Sequence, residues 1–173
     1  MEHATLGGGC FWCLDAVYRQ VRGVENSVCG YAGGTAANPS YEDVHTGDTG
    51  HAEVVQLTFD PKVITYETLL DIFWTIHDPT SLNRQGHDVG PEYRSIILYD
   101  GTSQHRVAED SMAAAAKLWK EPIVTELVPL KVFYPAEEAH QNFFEKHPEF
   151  AYCQVIINPK LHKLQQKFAR LLK

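Results

Sequence analysis

Cys10 and Cys13 are the residues of this chain best suited to chemistry. They stand in Gly7-Gly8-Gly9-Cys10-Phe11-Trp12-Cys13, where a flexible glycine run leads into the start of a helix. Unpaired N–H groups and partial positive charge at a helix N-terminus favour thiolate over thiol. Adjacent helical residues point in different directions, so Phe11 and Trp12 cannot both enter one core. At least one of them is expected to wall an apolar pocket at the mouth of the cysteine site. Thiolate, pocket and a second thiol one turn on are the parts of a cysteine redox enzyme. Zinc fits poorly, because Cys10-x-x-Cys13 supplies two ligands where a structural site needs four. Cys29 and Cys153 stand alone, and the nine histidines show no ligand spacing. The expectation is no metal and no cofactor.

Glu53 comes next. In a strand from Glu53 to Phe59 side chains alternate, so Glu53 faces the same way as Val55, Leu57 and Phe59. A carboxyl group on that apolar face is desolvated, binds its proton more tightly and becomes a candidate donor at neutral pH. The alternative is a strand-end glutamate already in water, since Gly50-His51 sits just before it. Tyr41, Asp88 and Tyr93 lie in or beside two long polar segments, Gly30 to Gly50 and Asp78 to Tyr93. They read as loops without regular structure, and structureless segments of that length in a compact domain are usually functional or disordered. Hydroxyls and a carboxylate there can hydrogen-bond a polar substrate oxygen or an attacking water.

The elements that must position these groups follow from periodicity. A strand at Ala4 to Gly8 precedes a helix from Phe11, with Leu14, Val17, Tyr18 and Val21 at helical spacing and Gly23 ending it. Val24 to Tyr31 and Glu53 to Phe59 read as strands, the second closed by Asp60-Pro61. Thr65 can cap a helix whose Tyr66, Leu69, Leu70, Phe73 and His77 share a face, and Asp78-Pro79 stops it. Ile96 to Tyr99 is apolar throughout, as a strand buried on both sides should be. The order predicts an α/β (α+β) two-layer sandwich with a ferredoxin-like β-α-β-β-α-β core and a mostly antiparallel sheet. Further helices are expected near Ser103–Trp119 and Ala136–His147 and at the basic C-terminal end, with a strand near Val124–Leu130. The sheet pattern brings both long segments beside the first helix, as walls of a site.

The bulk numbers bound this reading. One catalytic domain over residues 1–173 suits the length. A formal net charge of -7 argues against nucleic acid as the main partner. No apolar run approaches the roughly 20 residues that span a bilayer. Met1-Glu2-His3-Ala4 has neither the basic nor the apolar region of a secretory leader, and four cysteines are no disulfide scaffold. A cytoplasmic monomer is the expectation.

Gly-Cys-Phe-Trp-Cys at 9 to 13 resembles the signature of the A-class peptide methionine sulfoxide reductases. Further matches are Gly30-Tyr31-Ala32-Gly33-Gly34, Asn38-Pro39-Ser40-Tyr41, Thr49-Gly50-His51-Ala52-Glu53, His77-Asp78-Pro79-Thr80, Arg84-Gln85-Gly86-His87-Asp88 and Tyr93-Arg94-Ser95. Glu137 to Gln141 fits as well. The resemblance implies that Cys10 attacks the sulfoxide sulfur while Glu53 protonates the oxygen, helped by Tyr41 and Tyr93. It implies that Asp88 orients the site and its water, and that Phe11 and Trp12 hold the methyl group on sulfur. Methionine leaves, Cys10 remains as sulfenic acid, and a second thiol condenses with it to a disulfide that thioredoxin reduces. Cys13, slightly favoured, and Cys153, read as a strand residue at the site or as core, are the candidates for that thiol; Cys29 reads as a spectator. His45 stands where many relatives carry another cysteine, and His87 replaces the more usual asparagine before Asp88. The substrate implied is the S epimer of methionine sulfoxide, free or in proteins. The competing readings are a general thiol–disulfide oxidoreductase using Cys10-x-x-Cys13 and a non-enzymatic sensor of oxidised methionine.

Overall fold

The computed structural model describes residues 1–173. Its first half alternates strands and helices: β1 (Glu2–Gly7), α1 (Phe11–Tyr18), β2 (Val24–Ala32), a short α2 (Tyr41–His45), β3 (Ala52–Phe59) and α3 (Tyr66–Ile76). A two-residue hairpin, β4 (Arg84–Gln85) and β5 (Asp88–Val89), precedes β6 (Ile96–Tyr99), α4 (Gly101–Ala116), β7 (Glu126–Pro129) and β8 (Phe133–Pro135). A short α5 (Phe143–Lys146) and the terminal α6 (Asn158–Phe168) complete the list. Six strands form one sheet in the order β7-β6-β1-β3-β2-β8, antiparallel throughout except for the parallel β6–β7 pair.

Strand alternation decides which side of the sheet each residue serves. Val55, Leu57 and Phe59 of β3 join Ala4 and Leu6 of β1 in the main core, beneath Phe11, Leu14 and Val17 of α1 and Leu69, Leu70 and Phe73 of α3. Ala52 and Val54 point the other way and meet Ala32, Ile96 and Leu98 in a smaller cluster on the opposite face. β6 is therefore buried on both sides, as its unbroken apolar run requires.

β1 and β3 are the two central strands, and Leu6 pairs with Val55. The chain leaving β1 at Gly7 thus passes beside Glu53 before α1 starts. That places the first cysteine over the middle of the sheet. The far end of α1 is tied down by the chain's last residues: Arg22 N–H donates to Leu171 O at 2.7 Å, Lys173 N–H donates to Gln20 O at 2.9 Å, and Val21 bridges Leu172.

Three expectations are corrected. The helix over Ala136–His147 is broken into a single turn at Glu138–His140 and the short α5, because Asn142 takes left-handed backbone with φ 53°. Gln141 beside it turns inward, its amide donating to Cys29 O and accepting from Cys29 N–H, both at 2.9 Å. Cys153 is no strand residue: it opens a π-helical turn, Cys153–Ile157, that runs directly into α6. The long segments are not structureless either. Ser40 and Asp43 form a capping box that starts α2, and the second segment folds into the β4–β5 hairpin.

Candidate active site

Cys10 is the N-cap of α1, in extended backbone at φ -62°, ψ 131°. The glycines before it are demanded by close approach. Gly9 has φ +94°, a region that side chains rarely occupy, and a Cβ there would lie 3.0 Å from Gln85. A Cβ on Gly8 would lie 2.9 Å from the His77 ring. The turn is pinned to the second long segment by Gly9 N–H donating to Tyr93 O at 3.2 Å. Only 8% of Cys10 is exposed, and it opens into a cavity of about 820 Å³ shared with His77, Gln85, Asp88, Tyr152 and Lys160.

Glu53 is on the apolar face, 1% exposed, so the solvated strand-end alternative is excluded. Its Oε1 accepts the first free N–H of α1, that of Phe11, at 3.1 Å. Its Oε2 meets His45 Nε2 at 2.7 Å. Desolvation raises the proton affinity of this carboxyl above the ordinary carboxylate range, against the lowering effects of His45 and the Phe11 N–H. A carboxyl held in this way can carry a proton at a pH where surface glutamates cannot.

The same carboxylate overturns the expectation of a readily ionised Cys10. The helix start does help, through the Trp12 N–H. Burial opposes it more strongly, the negative charge of Glu53 adds to burial, and the thiol is pushed well above its ordinary value. Cys10 thus rests as a thiol, and its ionisation is tied to the charge on Glu53.

Aromatic rings gather at the start of α1, where Phe11 and Trp12 point in different directions as helix geometry requires; neither lines the cavity into which Cys10 opens. Phe11 is fully buried against Tyr31, ring centroids 5.7 Å apart, and lies 6.5 Å from Tyr41. Trp12 is half-buried and stacks flat on Phe143 at 3.8 Å, its Nε1–H donating to His140 Nδ1 at 3.2 Å. Tyr41 stacks on His140 at 4.3 Å, and the His45 ring lies against both Tyr41 and Tyr93. Burial, then Glu53, raises the Tyr41 and Tyr93 hydroxyls, which stay protonated donors across the physiological range.

Asp88 and the second thiol are joined by a residue the sequence reading missed. Tyr152 donates to Asp88 Oδ2 at 2.7 Å and lies 3.6 Å from Cys13 Sγ. The hydroxyl has one proton, so with that proton on Asp88 the Cys13 thiol donates to Tyr152. Burial raises Cys13 as well, with Lys160 pulling the other way. Cys153 is fully buried, and burial and then the neighbouring Cys13 raise it. Cys29 Sγ–H points to Phe11 O at 3.7 Å, beneath α1 and away from the cavity. Glu137 was quoted only as part of a motif. It accepts from the Tyr31 hydroxyl and the Tyr41 N–H, both at 3.0 Å, and so anchors α2 to the sheet. Tyr152 had a signal, its place next to Cys153; Glu137 had none beyond the motif.

The family model for peptide methionine sulfoxide reductase matches residues 2–172. This chain belongs to that family. The peptide methionine sulfoxide reductase MsrA of Leptospira borgpetersenii is 57% identical over 163 residues, 94% of this chain and 93% of that one. Among solved structures, the reduced form of Mxr1 from Saccharomyces cerevisiae superposes with a TM-score of 0.84 at 36% identity, covering 88% of each chain. Mxr1 in complex with Trx2 superposes at 0.59 with 28% identity, covering 82% of this chain and 84% of that one. Membership makes the chain an oxidoreductase of methionine sulfoxide and disfavours the general thiol–disulfide reading. As a family member it also carries the mixed α/β fold on which that activity is built. No helix is long and apolar enough to cross a membrane.

Proposed function

We propose that this reductase acts on the S epimer of methionine sulfoxide, with Cys10 as nucleophile and Glu53 as acid. The observation that carries the reading is the carboxyl group of Glu53, buried at the same helix start as Cys10 and fixed by the Phe11 N–H and His45. Cys10 Sγ attacks the sulfoxide sulfur as thiolate, forming an Sγ–S bond, and the S–O bond breaks as its oxygen takes a proton from Glu53 and leaves as hydroxide. That hydroxide, or a water that gives up a proton to it, adds to Sγ. The Sγ–S bond breaks with its electron pair on the thioether, which leaves reduced by two electrons, and Cys10 is left as a sulfenic acid. Tyr41 and Tyr93 donate to the oxygen, and Asp88 orients the site through Tyr152. Of the two aromatics, the half-buried Trp12 can reach the methyl group while Phe11, fully buried, supports the site from the core.

Cys13 then condenses with the sulfenic acid, water leaves, and thioredoxin reduces the disulfide. Cys13 N–H donates to Cys10 O at 3.1 Å, and this bond of the first helical turn must open for the sulfurs to meet. Cys13→Ser is expected to leave one stoichiometric round of methionine formation and to stop multiple turnover with thioredoxin. Methionine formed per enzyme, with and without reductant, reads this directly. Unchanged multiple turnover would assign the role to Cys153.

Residues 1–173 then work as one catalytic domain and as a monomer in the cytoplasm, a compartment in which the four free thiols stay reduced. The deciding test supplies racemic methionine sulfoxide with thioredoxin recycling and follows each epimer at sulfur. The S epimer is expected to disappear and the R epimer to persist. Loss of both, or of R alone, would refute the assignment.

A further inference from the structure

His45 is an unusual neighbour for a buried acid. It sits at the end of α2, and its Nε2 is 2.7 Å from Glu53 Oε2 while 26% of its side chain reaches solvent. Glu53, 1% exposed, has no such edge of its own. We propose that His45 is the route by which Glu53 regains its proton from solvent, so that the His45–Glu53 pair, holding one proton, is the working acid of the reductase step. This rests on the assignment of Glu53 as acid.

The proton count closes. In the reductase step Glu53 gives one proton to the sulfoxide oxygen, and Cys10 loses its thiol proton to solvent as it becomes the nucleophile. Neutral His45 then takes a proton from water on Nδ1 and passes its Nε2 proton to Glu53 Oε2, and exchange of its ring protons with water restores the starting tautomer before the next cycle. Net proton uptake is zero, as conversion of thiol and sulfoxide to sulfenic acid and thioether requires.

The surroundings favour a protonated imidazole. Beside Glu53 from β3, the groups that face His45 are Tyr41 of its own helix, Tyr93 and Glu92 from the turn before β6, Asp88 of β5 and, further off, His140. Three of these are carboxylates and His140 is the one other cationic candidate. The hydrogen bond to Glu53 raises His45 above its ordinary value, and Glu92 and Asp88 add to that. The ring is clamped between two tyrosines, with centroids 3.8 Å from Tyr41 and 5.8 Å from Tyr93. It therefore keeps its Nε2 on Glu53 without spending entropy at each turnover.

The test measures methionine formed in multiple turnover with saturating thioredoxin, beside a single turnover without reductant, across pH, for the parent enzyme and for His45→Ala, His45→Gln and Glu53→Gln. His45→Ala is expected to slow multiple turnover about tenfold at neutral pH while sparing the first turnover, less than loss of the acid itself because water can still reload the carboxyl slowly. Added imidazole should restore the rate, with substituted imidazoles ranked by their basicity. His45→Gln keeps a hydrogen bond to Glu53 but carries no proton. It should fold normally, lose the histidine-dependent limb of the pH profile and respond to no imidazole. A His45→Ala enzyme with unchanged rate and pH profile would overturn the proposal, and so would a slowed one that imidazole does not restore. An undiminished Glu53→Gln enzyme would instead overturn the assignment of Glu53, whatever the histidine variants do.

Discussion

Cys10→Ser forms no methionine at all, in single or in multiple turnover. The hydroxyl oxygen that replaces Sγ is neither acidic nor soft enough to attack a sulfoxide sulfur, and no other thiol takes its place. Neither Cys13 nor Cys153 lines the cavity into which Cys10 opens, and Cys29 lies beneath α1. The substitution is nearly isosteric at the N-cap, where serine is itself a preferred residue, so the fold is expected to be intact. Methionine quantified per mole of folded enzyme checks this. Any stoichiometric methionine from the serine variant would move the nucleophile to another cysteine.

Glu53→Gln shows two changes of opposite sign. The reductase step falls by about 10²–10⁴, the usual contribution of a positioned acid. Gln still accepts from the Phe11 N–H, so the loss is the proton rather than the geometry. At the same time Cys10 becomes easier to ionise. The charge of Glu53 is the second cause, after burial, of the raised Cys10. Removing it lowers the pH at which Cys10 is alkylated by iodoacetamide. A slower catalyst with a more reactive thiol is a pairing that general damage to the site would not give. The pH dependence has a definite sign. Burial raises Glu53 in the folded state, so the acid form is present below its folded value and is lost as pH rises through it. The stability contribution of that protonated form runs the same way, full below the unfolded value and lost on the alkaline side. In Glu53→Gln this alkaline loss of stability should disappear. Rate and alkylation measured across pH on one preparation decide both points.

Much of this arrangement was legible in the residues, and the failures share a cause. Strand parity placed Glu53 with Val55, Leu57 and Phe59, and that is where it lies. The glycine run marked a turn that tolerates no Cβ at Gly8 or Gly9. The two polar segments were recognised as walls, although the capping box and the hairpin inside them were not. What failed depends on partners distant in sequence. The proton affinity of Cys10 is set by burial and by a carboxylate 43 positions on, not by the helix start alone. Of the two readings of Cys153, core and strand, burial agrees with the first; the strand reading failed because Val155 to Ile157 is a short apolar run, and such runs do not separate strand from buried helix. The helix over Ala136–His147 breaks at the left-handed Asn142, beside a Gln141 whose side chain bonds the Cys29 backbone, a partner no local pattern encodes.

The tie between α1 and residues 171–173 has a consequence for where the enzyme can be disturbed from a distance. The helix that carries Cys10 is held at its far end by Leu171, Leu172 and Lys173, and Tyr152 reaches Cys13 across 139 positions. Contacts so far apart in sequence close long loops, which cost entropy to hold together. Fraying at Leu171–Lys173 therefore loosens the footing of the helix without touching the sulfur. A protein that has lost those contacts keeps its acid and its thiols but holds them less firmly.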